Sequence, residues 1–144
     1  MIQHVWTVLC KEAEIDSENN ATLSDVYEHV QFDINTEDTN YKEGLAISVP
    51  FNFQLVSMFF RPVNGTKAKI QMRLVVTDPS GDRLGNFEKS ASLGKKHNRT
   101  RSIMKFDTMA VTVSGNYYFQ IFFEDKQIAS IPLTVTLLVN GKKI

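Results

Sequence analysis

The sequence holds a single cysteine, Cys10, so no internal disulfide can form, and a reducing cytoplasm is the expected setting. It has no excess of either charge. The 16 Lys and Arg balance the 16 Asp and Glu, so no net field draws the whole molecule to nucleic acid or to an anionic membrane. No apolar run approaches the ~20 residues a helix needs to cross a bilayer. The stretch Met1 to Trp6 lacks a basic n-region and soon meets Lys11-Glu12-Ala13-Glu14, which argues against a secretory signal. On that reading the sequons at Asn20, Asn64 and Asn98 are chance matches that mark surface loops. Also missing are a Gly-x-Ser-x-Gly elbow, a phosphate-binding loop, a dinucleotide fingerprint, heptads and internal repeats.

What remains is ordinary in amount and specific in pattern. The 144 residues, 42% hydrophobic and 22% charged, suit one domain over 1–144 with a sizeable core. The clearest element lies near the end. Tyr117, Phe119, Ile121 and Phe123 alternate with Asn116, Tyr118, Gln120 and Phe122, which places the first set on one face of a strand.

Earlier segments read the same way. Val5 to Cys10 is apolar on both parities, as in a strand covered on both faces. Residues 23–34 fit a strand with a kink or bulge near Asp25, and a short helix over 23–30 is the alternative. Residues 35–44 read as a polar, mobile loop.

Leu45 through Leu55 alternate, and Val56, Met58 and Phe60 then take the other parity. A bulge near Leu55 to Ser57 is expected there, with Pro50 at a sheet edge. Ile70 to Val76, the turn Asp78-Pro79-Ser80-Gly81-Asp82 and a return strand through Leu84 and Phe87 to Leu93 read as a hairpin. A second slip of parity follows Phe106, before Met109, Val111 and Val113. The last strand carries Ala129, Ile131, Leu133, Val135 and Leu137 on one parity, with Pro132 at an edge or bulge. The sum is about eight strands with short connections, which points to a single antiparallel β-sandwich.

Gly115-Asn116-Tyr117-Tyr118-Phe119 resembles the Gly-x-Tyr-x-Cys pattern of immunoglobulin-like domains, with Phe119 in place of the cysteine. The resemblance implies that the Tyr117 hydroxyl bonds upstream backbone at a sheet corner, a structural role. A second likeness covers more of the chain. Trp6 to Cys10, Ile15-Asp16, Leu23 to Glu28, Leu74 to Gly81 and Gly115 to Phe119 resemble a family of small uncharacterised bacterial proteins. It implies a bacterial or phage-linked cytoplasmic β-sandwich and carries no activity and no residue roles.

Candidate chemistry is sparse. His4, His29 and His97 lack metal-ligand spacing, and Cys10 sits in a run that reads as buried. Carboxylates gather at Asp16 and Glu18, Glu37 and Asp38, and Asp78 and Asp82, where calcium competes with simple turn bonding. No cofactor is expected, and no enzyme activity. Lys95, Lys96, His97, Arg99 and Arg101 form the one strong charge cluster, a candidate for an anion or nucleic acid. A solvated hairpin tip is the plainer reading of such a run.

Apolar residues left off the core parity are the stronger lead. Phe59, Phe60, Tyr118 and Phe122 are the candidates for contact with a protein partner or a second copy of the chain. Coverage by bends within the monomer is the competing explanation. The expectation is therefore a non-enzymatic interaction or assembly module using an aromatic-bearing sheet face or edge.

Overall fold

Alternation of apolar and polar residues decides most of the architecture. In a computed structural model, which describes residues 1–37 and 40–144, the chain is all-β, with ten strands and no helix among those residues. In chain order they are β1 (Gln3–Ile15), β2 (Ala21–Val26), β3 (His29–Ile34), β4 (Ile47–Phe60), β5 (Ala68–Thr77), β6 (Arg83–Leu93), β7 (Arg99–Val111), β8 (Gly115–Phe123), β9 (Lys126–Val139) and β10 (Lys142–Lys143). They make two sheets. Sheet A has the order β2-β1-β4-β7; sheet B has β10-β9-β8-β5-β6, with β3 joined to β9.

β8 lies in the middle of sheet B, between β5 and β9. Its Tyr117, Phe119 and Ile121 are at most 1% exposed, as their alternation requires. Ile70, Met72 and Leu74 of β5 and Leu133, Val135 and Leu137 of β9 complete that side of the core. Leu9, Phe53, Leu55 and Phe59 face them from sheet A.

Three expectations need correction. The strand count rises from about eight to ten because residues 23–34 are two strands rather than one, and because β10 closes the chain. The alternative of a helix over 23–30 is not realised; Asp25 adopts a φ of 52°, near the expected kink, and β2 ends at Val26. The chain then crosses to the other sheet, where β3 pairs with β9 in parallel, from His29 against Thr134 to Ile34 against Val139. The fold is thus not wholly antiparallel.

The third concerns β4. No bulge lies at Leu55 to Ser57: the β4–β7 ladder runs unbroken from Phe53 to Phe60, and its irregularity lies between Pro50 and Phe53. That irregularity coincides with the parity slip expected after Phe106, since Phe106 pairs Phe53 and Thr108 pairs Pro50. Pro50 also fits its expected place. β1 pairs β4 only from Gln54 to Phe60, so the first half of β4 has a free side where a missing N–H costs nothing.

Val56, 0% exposed, points away from the inter-sheet core. Its cover is the β1–β2 hairpin. Past Cys10, β1 leaves β4 and pairs with β2 alone, from Glu12 against Ser24 to Ile15 against Ala21. The hairpin then curls over the outer face of sheet A, and its turn reaches Arg101. The Arg101 guanidinium donates to Asn19 Oδ1 at 3.1 Å and to the Asn19 carbonyl at 2.6 Å. On the opposite flank β6 approaches β7, with Thr100 Oγ1 donating to the Ser92 carbonyl at 3.1 Å and Lys89 Nζ to the Ile103 carbonyl.

Candidate functional site

The four aromatic candidates do not come together. Phe59 is a correction: it is 0% exposed, its ring edge-on to Phe123 at 5.3 Å and to His4 at 5.7 Å. It belongs to the core because the buried parity of β4 continues past Leu55. Phe60 points the other way, to the outer face of sheet A, where the Arg99 guanidinium lies over its ring at 5.5 Å.

Tyr118 and Phe122 share the outer face of sheet B. The β5–β8 register sets Thr77 against Tyr118, Val75 against Gln120 and Arg73 against Phe122. Tyr118 is 39% exposed, while Val75, on the same face between the two aromatics, is 2% exposed. The Arg73 guanidinium lies over Phe122 at 4.4 Å, a cation–π contact that fixes both side chains. Glu88 is the β6 partner of Arg73, and a surface pocket of about 240 Å³ opens between Arg73, Glu88, Phe122, Glu124 and Asp125. The face therefore joins an aromatic ridge to a pocket carrying both charge signs. Alternation identifies Tyr118 and Phe122 in the sequence. Arg73 and Glu88 are found only once strand register is known.

The basic cluster divides in two. Lys95 and Lys96 lie exposed in the turn between β6 and β7, while Arg99 and Arg101 belong to β7 itself. The turn is held from beneath by Arg61, a buried residue whose guanidinium donates to the carbonyls of Thr66 at 2.7 Å, Gly94 at 2.8 Å and His97 at 3.2 Å. Arg99 and Arg101 instead border a groove of about 440 Å³ under the curled hairpin, where Met58 and Ile103 supply apolar wall and Glu18 and Asn20 face them.

The remaining candidates have structural employment. Asp16 Oδ1 accepts the N–H groups of Glu18 and Asn20, both at 2.9 Å. Asp78 is buried; its Oδ1 accepts Ser80 N–H at 3.0 Å and Asp82 N–H at 2.9 Å, and its Oδ2 accepts Thr112 Oγ1 at 2.9 Å. Of the pair Glu37 and Asp38, the latter lies outside the described residues. Among the described residues no group of three His, Cys, Asp or Glu side chains could hold a metal. Cys10 is buried, and desolvation raises its thiol pKa, with a backbone contact at Glu12 acting the other way. A raised pKa withholds the thiolate a nucleophile needs. An apolar crevice of about 50 Å³ lies between the sheets at Phe53, Phe87 and Phe106, too small for anything beyond a solvent-sized molecule. Among the described residues no helix is long and apolar enough to cross a membrane.

Comparison with known proteins gives family and little more. A family of unknown function, DUF6941, matches residues 43–136, well over half of the chain. No curated protein matches the sequence. Among solved structures, the chain is similar to an immunoglobulin-like protein from Pseudomonas aeruginosa, at 13% identity, over 94% of this chain and 96% of that one, with a TM-score of 0.39. It is also similar to a structural-genomics target, SoR45, at 13% identity, over 63% of this chain and 84% of that one, with a TM-score of 0.31.

Proposed function

The chain belongs to the DUF6941 family of unknown function, and we propose that it is a non-enzymatic protein-interaction module that pairs with a second copy of itself through the outer face of sheet B. The observation that carries this reading is the pair Tyr118 and Phe122 on the outer face of sheet B, with Arg73 stacked on Phe122. Tyr, Phe and Arg are enriched where interfaces concentrate their binding energy. A second copy fits because Arg73 and Glu88 lie side by side. Two-fold pairing of identical patches can set each charge opposite its complement. The reading extends to a cytoplasmic β-sandwich of broadly immunoglobulin-like character and bacterial origin, supported by the two sheets and by the hydroxyl of Tyr117 on upstream backbone.

Paired variants test it. Tyr118→Ser and Phe122→Ser alter only the outer face, so each is expected to fold and to lose chemical cross-linking between copies. Cross-linking that survives both substitutions counts against this face.

A further inference from the structure

The groove on sheet A lies on the other sheet from the proposed contact face, and its chemistry is different. Arg99 and Arg101 stand two residues apart on β7, so both leave the sheet on the same side. Each is held before any ligand arrives: Arg99 by the ring of Phe60 at 5.5 Å, Arg101 by its two bonds to Asn19. Neither guanidinium pairs with a carboxylate among the described residues. Arg101 Nε is sealed from solvent with no acceptor, an arrangement that leaves a buried donor unsatisfied. Asn19 uses two of the five guanidinium hydrogens of Arg101, and stacking leaves the hydrogen-bearing edge of Arg99 unspent.

The walls define what would enter. Glu18 is the single carboxylate among the lining residues, so the two guanidiniums leave one net positive charge. Met58 and Ile103 offer apolar surface, while Asn19 and Asn20 offer amides. A volume of about 440 Å³ falls within the ~300–1,000 Å³ typical of small-molecule sites.

We infer that this groove binds a small organic phosphate, with the phosphate on Arg99 and Arg101 and the uncharged body against Met58 and Ile103. Planar guanidiniums match phosphate oxygens in pairs. Glu18 and the Asn20 amide are placed to accept and donate bonds with hydroxyl groups on the body. Lys95 and Lys96 take no part, since they lie on the turn and not in the groove.

The chain supplies its own reporter. Trp6, the single tryptophan, is the strand partner of Met58 in the groove wall. The test titrates the full chain with ribose 5-phosphate, ribose and inorganic phosphate, following tryptophan emission with calorimetry in parallel. The expected result is saturable binding of ribose 5-phosphate, tighter than inorganic phosphate and absent for ribose. Arg99→Gln, which spares the hairpin contact of Arg101, should weaken it by about tenfold or more. A Lys95→Gln/Lys96→Gln double variant should bind as the parent does. The inference is overturned by no saturable binding, by equal binding of inorganic phosphate, by an Arg99→Gln variant that binds undiminished, or by loss of binding in the lysine variant.

Discussion

The hydroxyl of Tyr117 donates to the carbonyl of Val113 at 2.6 Å, four residues upstream across the β7–β8 corner. The same oxygen accepts from the backbone N–H groups of Thr112 at 2.9 Å and Val113 at 3.2 Å. Beside it, Gly115 has a φ of 141°, and a Cβ there would meet Pro79 Cγ at 2.7 Å. The corner thus needs both a tyrosine and a residue without a side chain.

Tyr117→Phe keeps the ring and removes the oxygen. Three backbone groups lose their partner, so a loss of about 1–3 kcal/mol is expected, measured by urea unfolding, with the folded state otherwise unchanged.

Phe59 and Phe60, adjacent in sequence, should behave as opposites. Phe59→Ala empties a fully buried site and is expected to cost about 3–5 kcal/mol. Phe60→Ala removes the support beneath Arg99 and should cost about 1 kcal/mol or less. Thermal unfolding of both variants distinguishes them.

Arg61 predicts a local effect. Arg61→Ala strands the carbonyls of Thr66 and His97 and leaves that of Gly94 with the His97 N–H alone, for an expected loss of about 2–4 kcal/mol. Amide hydrogen exchange should show protection lost first around residues 94–98.

His4 predicts a pH dependence. Burial lowers its pKa, with a backbone contact at Trp6 acting the other way. Its Nε2 lies 2.6 Å from Thr7 Oγ1, which lies 2.8 Å from Ser57 Oγ. With the folded pKa depressed, the unfolded chain takes up the proton first as pH falls. Stability is therefore full above the ordinary histidine pKa of about 6.5 and declines as pH drops through it towards the folded value. His4→Gln should flatten that decline in urea midpoints measured across the same range.

These residues also show what a single sequence discloses. The core face of β8 and the tyrosine corner are legible because strict alternation and a local Gly-x-Tyr spacing are properties of neighbouring residues. The inward direction of Phe59 is not. Both faces of the second half of β4 are covered, one by sheet B and the other by the β1–β2 hairpin. Apolar residues then occupy both parities, and alternation cannot rank them. Register is equally hidden: Arg73 on Phe122 and Asn19 on Arg101 join residues 49 and 82 positions apart. The basic run misleads for a related reason, since β7 begins inside it and sends Arg99 and Arg101 away from Lys95 and Lys96.

The most direct test is light scattering over a concentration series, with Phe122→Ser beside the parent chain. The parent mass is expected to climb towards twice the 16.4 kDa of one chain while the variant stays at one. A parent that remains a monomer at its highest soluble concentration, or a variant that associates equally well, would contradict it.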